Sequence, residues 1–213
     1  HSAAVHVDLE EDLRTDEACL WSGLRQKWRQ YVNRARSLGV RVVEAGGEGL
    51  PVFHRILVET AVRGGFQART EAAYRAVWDA FAPAGRCRLL FATAADGEPL
   101  ASLFLVRCGT RVAEFYGGMT AAGAELRANY LLKWEAIRSS REGGATSYDL
   151  WGLATPGIAH FKAGFGGREV RYIGAWDLVV DRIGYGSWTA AMTARRWFLR
   201  RSGGRATDGA RAE

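Results

Sequence analysis

Cysteine is scarce in this sequence and poorly spaced for its usual structural roles. Cys19, Cys87 and Cys108 are odd in number, form no Cys-x-x-Cys pair and have no histidine cluster beside them. This argues against a disulfide framework and against a Cys/His zinc site, and leaves buried, reduced thiols in a cytoplasmic protein with no metal. No window approaches 18 consecutive apolar residues, so no transmembrane helix is expected. The opening HSAAVHVDLEEDL is acidic and lacks the basic-then-apolar pattern of a secretory leader. No repeat or low-complexity linker interrupts residues 5–200. Neither a Ser-His-Asp pattern nor HExxH occurs, so hydrolase readings find no support.

What the chain has is apolar residues enough for a core and a basic excess laid down in blocks. Of 213 residues 48% are hydrophobic, too many for a disordered chain, and the formal net charge is +6. Residues 1–16 carry a net −4, residues 17–41 a net +5 and residues 183–213 a net +4. Two local basic blocks suit a nucleic-acid backbone better than a uniform excess would.

Val5 and Val7 alternate with polar neighbours and predict a short strand. Leu20, Leu24, Trp28, Tyr31, Val32, Ala35 and Leu38 recur every three or four residues, the buried stripe of one helix ended by Gly39. Arg25, Arg29 and Arg36 share another face of it, either a basic ridge for RNA or a solvated arginine face. A strand at 40–45, helices at 50–64 and 70–82, and strands at 87–94, 100–106 and 112–116 follow, with Asp96-Gly97 marking a hairpin. A helix from about 125 to 141, strands at 147–151 and 170–180, and a short helix around Phe161 complete an α+β domain with a mixed, mostly antiparallel sheet flanked by helices. The expected organisation is one domain over 3–182, then a basic C-terminal helix and a disordered tail over 183–213, the tail being SGGRATDGARAE.

The most informative segments are NYLLKWEAIRSSREGGATSYDLWGL and IAHFKAGFGGREVRYIGAWDLVV. Asn129 to Leu132, Tyr148 to Gly152, Phe161-Lys162 with Gly164 to Gly167, and Tyr172 to Gly174 before Trp176-Asp177 occur in an order and spacing that resemble the FemABX family. Those enzymes are aminoacyl-tRNA-dependent transferases that add bridge amino acids to peptidoglycan precursors. Leu24-Arg25, Arg29, Asn33, Ala35 and Gly39-Val40 look like the family's basic helix, and Thr60-Ala61, Arg63 and Phe66 like its next element. The resemblance implies an acyl-CoA N-acyltransferase-like (GNAT) fold, here in one copy where the family has two. The single copy puts a nucleotide-linked muramyl peptide in question as acceptor and brings in peptide-antibiotic intermediates beside wall-precursor peptides. A second copy of the chain or a partner protein would replace the missing half.

By that resemblance Phe161 stacks on the terminal adenosine of the tRNA, and Lys162 stabilises the charge that develops on the ester carbonyl. An ammonium aimed at an oxyanion acts where charge appears in the transition state. The alternative for the pair is an amphipathic turn with Phe161 in the core and Lys162 in solvent. Asp149 is a candidate for orienting the amine or for a structural hydrogen bond, and His160 for acid/base work or packing. Arg25, Arg29 and Arg36, with Arg195, Arg196, Arg200 and Arg201, would follow RNA phosphates. The GFGG run at 164–167 lacks the Lys-Ser/Thr of a P-loop and reads as a turn for close approach. His6 and His54 lack partners at useful spacing.

A GNAT enzyme that uses acetyl-CoA carries an Arg/Gln-x-x-Gly-x-Gly/Ala loop at the start of its central helix. This chain has TAAGAELRANYLL there, so acetyl-CoA is disfavoured and no cofactor is expected. With no base in evidence, an α-amine, ordinarily about a tenth neutral at pH 7, is the expected acceptor. The sequence thus predicts an enzyme moving an amino acid from its tRNA ester to a peptide amine. An acyl-CoA N-acyltransferase and a non-catalytic tRNA-binding protein are its alternatives.

Overall fold

The computed structural model describes residues 6–153, 155–172 and 177–208. Residues 6–173 form one compact unit and the chain from Gly174 onward belongs to another. The larger unit is a seven-stranded sheet in the order β2-β3-β4-β5-β6-β1-β7. Its strands are β1 (His6–Asp12), β2 (Arg41–Ala45), β3 (Cys87–Thr93), β4 (Pro99–Cys108), β5 (Arg111–Met119), β6 (Ser147–Gly152) and β7 (Arg168–Tyr172). Among the described residues only the β5–β6 pair is parallel, so the sheet is mixed and mostly antiparallel, as expected.

The stripe from Leu20 to Leu38 is broken into two helices, α1 (Glu17–Gly23) and α2 (Gln26–Ser37). Asp16 caps α1 through the Cys19 amide at 2.7 Å. Leu24 and Arg25 between the helices are extended. Gly23 weakens the helix there, and the Arg29 guanidinium takes up the freed carbonyls of Ser22 and Leu24. Leu20, Leu24, Trp28 and Val32 all remain buried. α3 (Leu50–Gly64) ends at Gly65, whose φ of 66° only glycine adopts freely, and α4 (Glu71–Phe81) follows. After the β3–β4–β5 meander, α5 (Ala121–Glu125) and α6 (Ala128–Glu142) replace the single helix expected from about 125. α7 (Pro156–Lys162) connects β6 to β7.

Two corrections arise at the C-terminal end. The strand expected over 170–180 is seen as β7, ending at Tyr172; residues 173–176, with the Gly174 and Trp176 of the quoted pattern, lie outside the described residues. The tail expected to be disordered is helical to Asp208 as part of α8 (Arg182–Asp208), while 209–213 lie outside the described residues. With no proline to stop it, extending a helix already nucleated costs less than starting one. The cysteine reading holds for Cys87, which is buried, but Cys19 and Cys108 are exposed. They sit on the first turn of α1 and at the end of β4, where side chains face outward.

α2 and α6 cover one face of the sheet and α3 and α4 part of the other, each with its own core. On the first face Leu9, Val112, Tyr148 and Leu150 meet Leu131, Trp134 and Ile137 of α6. Into this layer the fold inserts charge: Lys133 of α6 pairs with Glu114 of β5, at 3% and 6% exposure. Tyr148 of β6 donates its hydroxyl to Glu114 at 2.7 Å. A buried charge that loses its partner is left uncompensated, so Lys133→Met should destabilise the protein by about 3–5 kcal/mol. Lys133→Met/Glu114→Gln should recover most of that loss in urea unfolding, because the glutamine carbonyl still accepts from Tyr148.

Candidate active site at the ends of β5 and β6

The parallel pairing of β5 with β6 runs from Arg111↔Ser147 to Ala113↔Asp149 and ends there. Both strands bulge just beyond. On β5, Phe104↔Tyr116 and Leu105↔Glu114 leave Phe115 as an extra residue. On β6, Asp8↔Gly152 and Glu10↔Asp149 set Leu150 and Trp151 opposite Leu9 alone. Trp151 adopts φ 64°, a left-handed conformation that costs a bulky side chain about 1–3 kcal/mol. Asp149 holds it there: its Oδ1 accepts the Trp151 amide at 2.8 Å.

Lys162 reaches this strained end from the last turn of α7, a helix started by Thr155 as cap and Pro156 in its first turn. Its Nζ donates to the carbonyls of Trp151 at 3.1 Å and Gly152 at 2.8 Å. Burial, and then the charge of Lys133, push the ammonium down to about 8, against the opposing pull of Glu114, Asp149 and Asp8. Lys162 is therefore a half-buried cation anchored at the site, not a solvated one. Phe161 turns the other way, edge-on to Tyr130 at 5.1 Å and Phe165 at 5.3 Å, within a cluster that includes Trp28 and Tyr31.

The glycine run is explained by contacts within the chain. A Cβ on Gly164 would lie 2.2 Å from the Trp28 ring, and Trp28 Nε1 donates to the Phe161 carbonyl at 3.0 Å. This fixes the turn that carries Phe161 and Lys162 against α2.

The other expected site residues are dispersed. Asp149 is 1% exposed; besides Trp151 it pairs with Arg111 at 2.6 Å. His160 packs edge-on to Trp28 at 5.6 Å and takes a hydrogen bond from Arg25 at 3.2 Å, on the α2 side of α7. Arg29 is spent on α1 carbonyls, and Arg36 on Glu135 of α6 at 2.7 Å, so these two arginines brace α2. Arg195 is exposed on α8; Arg196, Arg200 and Arg201 lie on the same helix, with side chains outside the described residues.

Sequence reasoning missed Arg111, Asp8 and the Lys133–Glu114 pair. Arg111 Nη2 meets Asp149 and Glu10 at 2.6 Å and the Tyr172 hydroxyl at 2.5 Å, and that hydroxyl donates to Glu10 at 3.0 Å. Arg111, Asp149 and Tyr172, with Asp8, border a cleft of about 470 Å³ on the sheet face opposite α6. One signal was available: Glu114 follows Val112 at strand spacing, which places a carboxylate on the buried face.

A coenzyme A pyrophosphate would need free amides where β5 leads into α6. Here the Ala121 amide is held by the Glu59 carboxylate at 3.0 Å, and the Gly123 amide by Thr120 Oγ1 at 3.0 Å. A Cβ on Gly123 would stand 2.2 Å from the Leu100 carbonyl, so this glycine serves packing and not a ligand. A carboxylate on the first amide repels phosphate, and the turn does not fit that group.

A family model described as an acetyltransferase (GNAT) domain matches residues 22–163. Among solved structures, FemX superimposes with a TM-score of 0.74 at 17% identity, covering 79% of this chain and 60% of that one. L-PGS from Bacillus licheniformis gives 0.57 at 12%, covering 78% and 59%. An Agrobacterium fabrum C-terminal domain assigned to a lysylphosphatidylglycerol synthetase gives 0.55 at 15%, covering 78% and 58%. These are likenesses of fold, and the chain spans about three fifths of each of those proteins. No curated protein sequence matches it.

The lowered Lys162 has a signature in stability. Between about pH 8 and the ordinary lysine value of 10.5, the unfolded chain binds more protons at this side chain than the folded one. Wild type should therefore gain stability relative to Lys162→Met as pH rises through that window, and show no such relative gain below pH 8. Urea unfolding of both proteins at pH 7 and pH 10 measures it.

Proposed function

The chain belongs to the acetyltransferase (GNAT) domain family, and on that premise we propose that it is an acyltransferase whose donor is an aminoacyl-tRNA and whose acceptor is a peptide amine. The observation that carries this reading is Lys162. An ammonium has three protons to donate, and the Trp151 and Gly152 carbonyls take two. The third is available to an oxygen arriving at the ends of β5 and β6.

The neutral amine attacks the carbonyl carbon of the ester that joins the amino acid to the terminal ribose. A carbon–nitrogen bond forms, the carbonyl oxygen becomes an oxyanion, and Lys162 stabilises it in a partly desolvated place where such a bond is strong. Collapse breaks the bond to the ribose oxygen, which leaves with a proton from the new ammonium centre. The ester is already activated, so no redox or metal chemistry enters this scheme. Phe161, partly buried against Tyr130 and Phe165, would stack the open part of its ring on the terminal adenosine, a contact worth about 1–3 kcal/mol for one base. Arg25, with the arginines of α8, would contact phosphates. The acceptor is a wall-precursor peptide or a peptide-antibiotic intermediate. The carboxylate at Ala121 supports the choice of donor, since it disfavours a pyrophosphate at the turn an acyl-CoA would use.

Loss of the ester from a pool of charged tRNAs, with a panel of peptide amines and acetyl-CoA in parallel, tests this directly. Lys162→Ala should cut turnover by about 10²–10³-fold while tRNA affinity stays within a few-fold. Acetyl transfer would overturn the donor, and equal binding of charged and uncharged tRNA with the ester left intact would make the protein a binder. The rate in wild type should be bell-shaped in pH. It rises as an α-amine loses its proton at about 7.7–8.0 and falls as Lys162 loses its own at about 8.

A further inference from the structure

The cleft on the sheet face opposite α6 has the chemistry of a site for a cation. Phe115 and Trp151, the two bulge residues, stand with ring centroids 4.7 Å apart and form one wall. Tyr172 borders it, and Asp8 and Asp149, each nearly fully buried, supply carboxylates. Its one guanidinium, Arg111, is shared among Asp149, Glu10 and the Tyr172 hydroxyl. An incoming anion would have to displace one of these partners.

An ammonium meets the opposite conditions. A carboxylate offers about four lone-pair positions, and Asp149 uses two, one on Arg111 and one on the Trp151 amide. Aromatic faces attract cations through their quadrupoles, and more strongly where water is excluded. Trp151 joins the cleft to the lysine: it lines the cleft, and its carbonyl accepts from Lys162 at 3.1 Å.

We propose that this cleft is an ammonium-binding subsite, and that it seats the acceptor amine beside Lys162. The word acceptor rests on the acyl-transfer reading above; the binding of an ammonium does not. The class of ligand is a primary amine with an apolar body next to it, such as the free N-terminus of a short peptide. Such a ligand would arrive with its nitrogen between Asp8 and Asp149 and its carbon skeleton on Phe115 and Trp151. It would lose its proton to solvent water before attack.

The test uses the intact protein without tRNA, titrated with glycyl-L-phenylalaninamide, its N-acetyl derivative and N-acetyl-L-phenylalanine. Binding is followed by the indole NMR signal of Trp151, identified through Trp151→Phe. The free amine should shift that signal, and acetylation or Asp149→Asn should weaken binding by about tenfold or more, the worth of one charged hydrogen bond. Asparagine keeps the oxygen that holds the Trp151 amide, so the bulge survives. Should that variant fail to fold, wild type decides the matter. Affinity for the free amine should fall as pH rises through about 8, while the permanently charged trimethylammonium analogue keeps its affinity. Equal binding of the acetylated peptide, or tighter binding of the carboxylate, would overturn the subsite. Because tRNA is absent, failure here leaves the Lys162 result standing, and failure of the tRNA donor leaves this result standing.

Discussion

The site depends on a charge buried where an apolar side chain would be expected. Lys133 projects from α6 into the layer between helix and sheet and finds Glu114 there, with the Tyr148 hydroxyl on the same carboxylate. α6, β5 and β6 are thereby tied at one point, where the two strands stop pairing. Replacing such a pair by well-packed apolar groups is often neutral or stabilising, so its value lies elsewhere than in stability. Here it fixes the register between helix and strand ends, and it sets a positive charge near Lys162. Burial and that neighbour together lower the Lys162 ammonium towards neutrality.

The second constraint is the pair of bulges. Either would bend its own strand; together they open the sheet between β5 and β6 and turn Phe115 and Trp151 towards each other. A left-handed tryptophan is an expensive way to shape a strand, and glycine would do it without strain. The tryptophan supplies what glycine lacks, a ring for the cleft, while its backbone carbonyl accepts from Lys162. Asp149, which binds both its amide and Arg111, holds the two functions in one geometry. The cleft wall and the backbone strain thus fall on the same residue.

Much of the fold was legible because apolar periodicity reports burial directly. The meander, α3, α4 and the bulk of α6 fall where their patterns place them, since a stripe at helical or strand spacing has few other uses. The break between α1 and α2 was invisible, because Leu24 stays in the stripe while its backbone leaves the helix. Lys162 was singled out through a likeness of motif, and in the fold it donates to two carbonyls at the end of β6. Arg29 and Arg36 show the limit. On a helical wheel they share a face with Arg25, yet each closes a bond to a neighbouring element. Arg111 could not have been found at all, since its partners come from three strands spread over 162 residues of sequence.

The place of β1 in the sheet has a consequence for how the chain is made. β1 lies between β6 and β7, pairing Asp8 with Gly152 and with Val170. A ribosome adding about 5–20 residues per second extrudes β1 long before either neighbour exists, leaving its edges open for roughly ten to thirty seconds. Exposed strand edges invite pairing with other chains, and charge on the strand is a common defence. Asp8, Glu10, Glu11 and Asp12 give this segment four carboxylates in five residues. Negative charge that later borders the cleft can thus act first as a chaperone-like guard, keeping nascent chains apart until the sheet closes around it.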